Sequence, residues 1–135
     1  MRPEPAWLLE AVVLAVHQIQ LAEHGGAPGV RDLELLRSAL ARSRNLLAYA
    51  EVEPTLFELA ASYAYGLVRN HCFVDGNKRV ALVAALTFLA DHGWRLAAPR
   101  AETYAKVMQL ASGQLTESDF GGWLERSCES AAGGR

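Results

Sequence analysis

Apolar residues recur every three or four positions along most of this chain, which is the spacing of amphipathic helices. The pattern predicts a first helix that ends at Gly25-Gly26 and a second that begins near Asp32. A third helix opens at Thr55, with Glu58 placed three residues later to complete a capping box. The predicted inner face of the first helix consists of Leu8, Val12, Ala15, Ile19 and Ala22.

Three more helices are predicted in the second half of the chain, over about 78–92, over about 99–113 and from Thr116 onward. Residues 45–54 lose the helical period, and residues 94–98 can form a short extended piece. We therefore predict an all-α fold, a compact bundle of about six helices.

Length and composition limit the classes of protein to consider. The 135 residues, 51% of them hydrophobic and 21% charged, fit one globular domain. We predict a single domain over residues 1–129 and a disordered tail over 130–135. The net charge of −2 argues against direct DNA binding. The longest apolar run, 80–90, is too short to cross a membrane, and no cleavable signal is visible, so we expect a cytoplasmic protein.

The sequence assigns no function to the cysteines or to three of the four histidines. Cys72 and Cys128 form no CxxC pair, and we interpret both as reduced thiols. His17, His24 and His92 have no spacing that suggests a metal site.

One stretch between the third and fourth predicted helices, HCFVDGNKR at residues 71–79, interrupts the helical pattern. The start of a helix exposes backbone N–H groups and a partial positive charge, and both favour a bound anion. Gly76 lets the backbone turn sharply and approach a ligand closely. Lys78 and Arg79 add full positive charges where the helix dipole disfavours them. These charges are explained if a phosphate lies in the loop and neutralises them.

The other residues of the stretch fit the transfer of a phosphate-containing group. Asp75 alone would repel phosphate, but it can hold the Mg²⁺ of a metal–nucleotide complex. Asn77 can donate its amide N–H to a phosphoryl oxygen, and His71 can accept a proton from an attacking hydroxyl. Phe73 is interpreted as an anchor that packs the loop onto the core. No GxxxxGK[ST] sequence is present, which excludes a P-loop as the phosphate site.

Taken singly, each of these residues has an ordinary structural interpretation. His71 could cap a helix or lie in the core, and Asp75 could form a turn. Lys78 and Arg79 could belong to a solvated helix face. A structural loop has no reason to combine all of them within nine positions, so the combination favours a phosphate site.

The stretch resembles the core motif of the Fic/Doc family, HxFx[D/E]GNxR. The matching residues are His71, Phe73, Asp75, Gly76, Asn77 and Arg79. Most Fic enzymes continue GNGRxxR, whereas here Lys78 replaces the second glycine and Leu82 stands at the position of the second arginine. Both departures are typical of the Doc (death-on-curing) branch. The resemblance covers roughly residues 7–128.

The resemblance implies a Fic/Doc fold with ATP and Mg²⁺ as cofactors. It implies that His71 is the general base and that Asp75 holds the metal. Phosphate-binding roles fall on Gly76, Asn77, Lys78 and Arg79. Arg69 would also contact nucleotide or target, although a cation near a helix C-terminus is favoured by the dipole in any case. Residues 44–53 would form a short extended flap that docks the target, with an ordinary helix connection as the equal alternative.

The Doc branch further implies a toxin of a toxin–antitoxin system that arrests translation. The resemblance to this branch implies a protein kinase that transfers the γ-phosphate of ATP to a Thr or Ser hydroxyl, with elongation factor Tu as the expected target. The alternatives are a Fic-type AMP transferase and a non-catalytic Fic-fold binding module. Lys78 favours the kinase, because its side chain would fill the space above the loop. The nucleotide would then bind in the opposite direction, with its terminal phosphate facing the attacking hydroxyl.

The resemblance also implies a partner that controls the activity. Many Fic proteins carry an inhibitory [S/T]xxxE[G/N] helix, and this sequence contains no such pattern. A cognate antitoxin whose disordered C-terminal segment folds on the toxin is therefore expected. No membrane partner is expected.

Overall fold

The computed structural model describes residues 3–131 and confirms the all-α class. The helices are α1 Glu10–His24, α2 Leu33–Tyr49, α3 Leu56–Asn70, α4 Asn77–Asp91, α5 Arg100–Ser112 and α6 Glu117–Ser127. Two short strands, β1 Trp94–Leu96 and β2 Cys128–Ser130, form an antiparallel pair. None of the helices in the described part of the chain combines the length and apolar character needed to span a membrane.

Helix α3 forms the centre of the bundle and packs against α2, α4, α5 and α6. Nine of its fifteen residues are buried, as expected of a helix that other helices surround. The predicted capping box opens it: Thr55 Oγ1 accepts from the Glu58 N–H at 3.0 Å, and Glu58 Oε1 accepts from the Thr55 N–H at 2.8 Å. The helix is thereby fixed at its start, and its last turn leads directly into the 71–79 stretch.

The predicted inner face of α1 is wrong for its four residues within the helix, whereas Leu8 precedes the helix and is buried as predicted. Val12 and Ile19 are 38% and 53% exposed, whereas Val13 and His17 are buried. The predicted face was the one that carries the most apolar residues at helical spacing. The helix instead turns one side toward α4, and on that side a histidine takes a core position.

The predicted loss of helix over residues 45–54, and with it the flap over 44–53, needs correction. Helix α2 continues to Tyr49, because Asn45 to Tyr49 are compatible with helix and the Ala50 N–H still donates to Leu46 O at 3.1 Å. The backbone becomes extended only at Ala50, with φ −74° and ψ 138°. The segment available as a flap is therefore the short connection over 50–55.

The end of the described chain is ordered beyond the predicted limit of the domain. The extended piece predicted near Trp94 is β1, and Trp94 pairs with Ser130. The Ala131 N–H also donates to Gly93 O at 2.8 Å. The predicted disordered tail therefore does not include Ser130, which belongs to β2. Residues 132–135 of the predicted tail lie outside the described part of the chain.

Helices α2 and α3 approach each other closely at Gly66. A Cβ atom added there would lie 2.9 Å from Arg42 Cδ and 3.2 Å from the Ala39 Cα atom. The Ala39 backbone cannot move aside without shifting α2, so this glycine sets the spacing of the two helices.

We predict that Gly66→Ala lowers the free energy of unfolding by about 1–3 kcal/mol through overpacking. This loss should appear even though alanine is the better helix former by about 0.8–1.0 kcal/mol. Urea unfolding followed by circular dichroism measures the change. The matched control is Gly122→Ala in α6, where the added Cβ meets only the flexible end of Arg126 at 3.1 Å. The control should be stabilised, and equal stabilisation of both variants would contradict the close approach.

Candidate active site

The loop that joins α3 to α4, residues 71–76, lies against the segment 29–32. The N–H groups of residues 31 and 32 donate to Cys72 O at 2.7 and 3.1 Å, and the Val74 N–H donates to Gly29 O at 3.0 Å. A single β-bridge forms between the same two stretches. Backbone hydrogen bonds therefore hold the loop from one side.

His71 ends α3 in the left-handed conformation, with φ 50° and ψ 51°. It has the one positive φ angle found at a non-glycine residue within residues 3–131. Arg31 donates from Nε and Nη2 to the carbonyl oxygens of His71 and Asn70 at 2.6 and 3.0 Å, so the last carbonyls of α3 have a partner. The imidazole is exposed and makes no hydrogen bond within the described residues. It is therefore free to accept a proton from a substrate.

Asn77 holds the loop closed rather than donating its side-chain amide to a phosphate. Its Oδ1 accepts from the Phe73 N–H and its Nδ2 donates to Phe73 O, both at 2.9 Å. The Asn77 side chain is buried, and the Phe73 ring is fully buried beside it, as an anchor should be. The predicted contact between the Asn77 side chain and a phosphoryl oxygen is thus replaced by a clamp across the loop.

The backbone at the start of α4 supplies the N–H groups that an anion needs. Gly76 is the N-cap with φ 81°, and no side chain caps the helix. The first helical bond runs from the Val80 N–H to Gly76 O at 3.0 Å, which leaves the N–H groups of residues 77–79 without a partner in the helix. We call these three N–H groups the α4 anion site. The exposed Lys78 and Arg79 side chains form no ion pair with any carboxylate in the described chain.

Asp75 lies next to this anion site with its carboxylate oriented by two backbone groups. Oδ1 accepts from the Gly76 N–H at 2.8 Å and Oδ2 accepts from the Ala27 N–H at 3.2 Å. These bonds lower the pKa of the Asp75 carboxyl, and the bond from Ala27 has the largest effect. The nearby Arg79 guanidinium lowers this pKa further. A lowered pKa means that this carboxylate stabilises the fold above about pH 3.9, the ordinary aspartate value. That contribution is lost as the pH falls through the lowered pKa of the folded state.

Two adjoining cavities surround the start of α4. One, of about 230 Å³, is lined by Val68, His71, Val74, Asp75, Gly76, Asn77, Lys78 and Ala111. The other, of about 170 Å³, is lined by Asp75, Gly76, Asn77, Lys78, Arg79 and Tyr104. Residues 75–78 border both cavities, so the two form one cleft. His71 stands at one end of the cleft and Arg79 at the other, while Arg69 is exposed in the last turn of α3 and lines neither cavity.

The residues present fit Mg²⁺ held together with a phosphate ligand. No cluster of three or more His, Cys, Asp or Glu side chains within residues 3–131 is arranged to hold a metal by itself. Mg²⁺ commonly takes one or two carboxylates and completes its shell with substrate phosphates and water. Asp75 provides such a carboxylate, ionised and exposed beside the α4 anion site.

Several residues that the sequence did not single out build the cleft. Arg31 and His17 hold the loop backbone, and Tyr104 of α5, 61% exposed, borders the cleft. Gly26 leaves room for the Asp75 carboxylate, since a Cβ there would lie 2.9 Å from Oδ2. The glycines of the 25–29 loop were the available signal, because such positions often mark a close approach of the backbone.

The helical bundle and the HxFx[D/E]GNxR loop that forms its anion site define a Fic-type protein. The model of the Fic/DOC family matches residues 7–89, and the chain belongs to this family.

Two relatives show where in the family the similarity lies. "Protein kinase doc" of Escherichia phage P1 is 32% identical over 119 residues, which cover 88% of this chain and 93% of that protein. "Toxin Doc" of Mycolicibacterium smegmatis is 46% identical over 74 residues, which cover 55% of this chain and 57% of that protein.

The conformation of His71 leads to a prediction about stability. A left-handed residue costs roughly 1–2 kcal/mol when it carries a Cβ, and glycine avoids that cost. We predict that His71→Gly unfolds with a free energy about 1 kcal/mol higher than His71→Ala, because both lose the imidazole and only the glycine relieves the backbone. Urea unfolding of the two variants measures the difference. An alanine variant as stable as the glycine variant would argue against the left-handed conformation at this position.

Proposed function

We propose that this chain is a Doc-type toxin, an Mg-ATP-dependent protein kinase. Its acceptor is a Thr or Ser hydroxyl of a translation factor, with elongation factor Tu as the expected target. The observation that carries the proposal is the α4 anion site, which opens into a cleft between an unpaired imidazole and an ionised carboxylate. The likeness to a protein named a kinase over most of both chains supports it.

In this proposal the phosphates of ATP bind at the start of α4. The N–H groups of residues 77–79 donate to phosphoryl oxygens, and the helix dipole favours their charge. Arg79 can grip two oxygens of one phosphate, while Lys78 acts as a point charge. Asp75 and the phosphates together hold Mg²⁺, which when bound neutralises charge on the phosphates. Arg69 lines neither cavity, so we assign it the weaker role of contacting nucleotide or target from the rim.

The transfer step uses His71 as the general base. Its ring nitrogen accepts the proton of the acceptor hydroxyl while that oxygen forms a bond to the γ-phosphorus. The bond between the γ-phosphorus and the bridging oxygen breaks, and ADP leaves with that electron pair. Because the His71 ring makes no hydrogen bond in the described chain, it is positioned through its own backbone, whose carbonyl accepts from Arg31 at the end of α3.

Lys78 favours phosphate transfer over AMP transfer. Its side chain is exposed and borders both cavities, so it occupies space above the loop that a glycine would leave open. A nucleotide excluded from that space would bind in the reverse direction and present its terminal phosphate to His71. AMP transfer stays the alternative, and a binding module without activity is disfavoured by the intact His71, Asp75 and Arg79.

The proposed partner is a cognate antitoxin. A relative named as a toxin supports this assignment, as does the absence of an inhibitory [S/T]xxxE[G/N] pattern from the sequence. We propose that a disordered C-terminal segment of the antitoxin folds on this chain and blocks the activity.

Isotope transfer tests the proposed reaction directly. The protein is incubated with bacterial lysate, Mg²⁺ and ATP labelled on either the α- or the γ-phosphate. We expect protein labelling from γ-labelled ATP only, lost by about 10²- to 10⁴-fold in His71→Ala. His24→Ala, which changes an exposed histidine, is the matched control and should keep full activity. Labelling from α-labelled ATP would establish AMP transfer instead, and no labelling from either would favour the binding module.

The role of Lys78 is tested by Lys78→Gly in the same assay. We predict a large loss of γ-phosphate transfer, because both the positive charge and the filled space disappear. Lys78→Arg keeps a charge and most of the volume, and it should retain more activity. Unchanged γ-transfer in Lys78→Gly would refute the account of nucleotide orientation.

A further inference from the structure

His17 of α1 reaches the motif loop from another part of the chain. Its Nε2 lies 3.0 Å from the carbonyl oxygen of Asp75. Its ring stacks on Phe73, with 4.0 Å between ring centroids and 19° between ring planes. The residue is 4% exposed, so it is a buried polar side chain that needs a hydrogen-bond partner.

The chemistry of this contact fixes which ring nitrogen donates the hydrogen bond. A carbonyl oxygen can only accept a hydrogen bond, so His17 Nε2 must carry the hydrogen. The bond therefore runs from α1 to the backbone of the loop, between Phe73 and the start of α4. Within the described chain it is the one hydrogen bond that links α1 to the motif backbone.

The bond controls the orientation of a whole peptide unit. The described residues contain no cis peptide, so the C=O of Asp75 and the N–H of Gly76 point in opposite directions. That N–H donates to Asp75 Oδ1 at 2.8 Å and so orients the carboxylate. A rotation of the peptide plane would remove this donor and turn the carbonyl oxygen toward the carboxylate.

Glycine at position 76 makes such a rotation easy unless something prevents it. Gly76 has φ 81°, a region in which glycine is not strained but which does not fix the peptide plane either. The carbonyls of Phe73 and Gly76 already have partners: the Asn77 side chain holds Phe73 O, and the Val80 N–H holds Gly76 O. His17 supplies the bond to Asp75 O, and its ring lies against Gly76, 3.8 Å from an added Cβ.

We propose that His17 is a positioning residue of the active site, which locks the Asp75–Gly76 peptide and thereby orients the Asp75 carboxylate and the start of α4. The inference rests on the proposed phosphotransferase function. His17 is buried and lines neither cavity of the cleft, so it acts through the loop and does not touch the substrate.

Two substitutions separate the hydrogen bond from simple packing. His17→Phe keeps an aromatic ring on Phe73 and removes the donor. His17→Gln removes the ring and keeps an amide N–H near the position of Nε2. His17→Met is a second variant without a donor, for use if the phenylalanine variant does not fold. His24→Phe, the same change at an exposed position of the same helix, is the matched control.

The first measurement needs no ligand and no activity. Amide ¹H–¹⁵N spectra of the folded proteins report the hydrogen bonding of Gly76 and of residues 77–79. We expect these amide signals to shift in the variants that lack a donor, and to stay near their wild-type positions in His17→Gln and in the control. Unshifted signals in a folded variant without the donor would overturn the proposal, whatever reaction the protein catalyses.

The second measurement is γ-phosphate transfer together with the dissociation constant of Mg²⁺ and a non-hydrolysable ATP analogue. Loss of a supporting partner typically costs about 10- to 100-fold in affinity or activity, and we expect this loss in His17→Phe with substantial recovery in His17→Gln. Equal loss in both variants would mean that the ring and not the donor matters, which also overturns the proposal. If the wild type transfers no phosphate, the proposed function fails, and the amide spectra still decide the role of His17.

Discussion

The site depends on the hydrogen bonds that satisfy the backbone of one short loop. Residues 71–76 turn between two helices, and the α4 anion site works only if the N–H groups face the cleft while the carbonyls do not. Four separate partners hold the carbonyls of residues 71, 72, 73 and 75: Arg31, the 31–32 backbone, Asn77 and His17, respectively. A peptide group released from its partner could turn its oxygen toward the cleft, where it would repel a phosphate.

The loop and the start of α4 contain features that are unfavourable for stability. His71 adopts a left-handed backbone that glycine would adopt with less strain, and Lys78 and Arg79 oppose the dipole of α4. Each of these features weakens the fold on its own, and the proposed function accounts for each by a bound phosphate or an attacking hydroxyl. Helix α3, which leads into the loop, has a capping box and is largely buried, so its packing stabilises the fold next to the site.

The fold class and the position of the site could be predicted from local patterns in the sequence. Helical periodicity, the Thr55 capping box and the density of chemistry in residues 71–79 are all visible in neighbouring residues. The features that were missed depend on how side chains are turned in the folded molecule. His17 is buried and contacts Asp75, 58 residues away, so no neighbouring residue signals its position. Asn77 bonds to Phe73 only four residues away, but whether its amide turns toward the loop or toward a ligand is set by the folded loop. The flap was placed too early because a partly exposed helix end lacks a clear apolar period.

We propose above all that the N–H groups at the start of α4 bind the phosphates of an Mg²⁺–nucleotide complex. The most direct test is a titration of the unmodified protein with Mg²⁺ and a non-hydrolysable ATP analogue, followed through the backbone amides. We expect the amide signals of Asn77, Lys78 and Arg79 to shift together with a single dissociation constant, and omission of Mg²⁺ to weaken the binding. Saturating nucleotide that leaves these three amides unchanged, or that shifts only residues elsewhere in the bundle, would contradict the proposal.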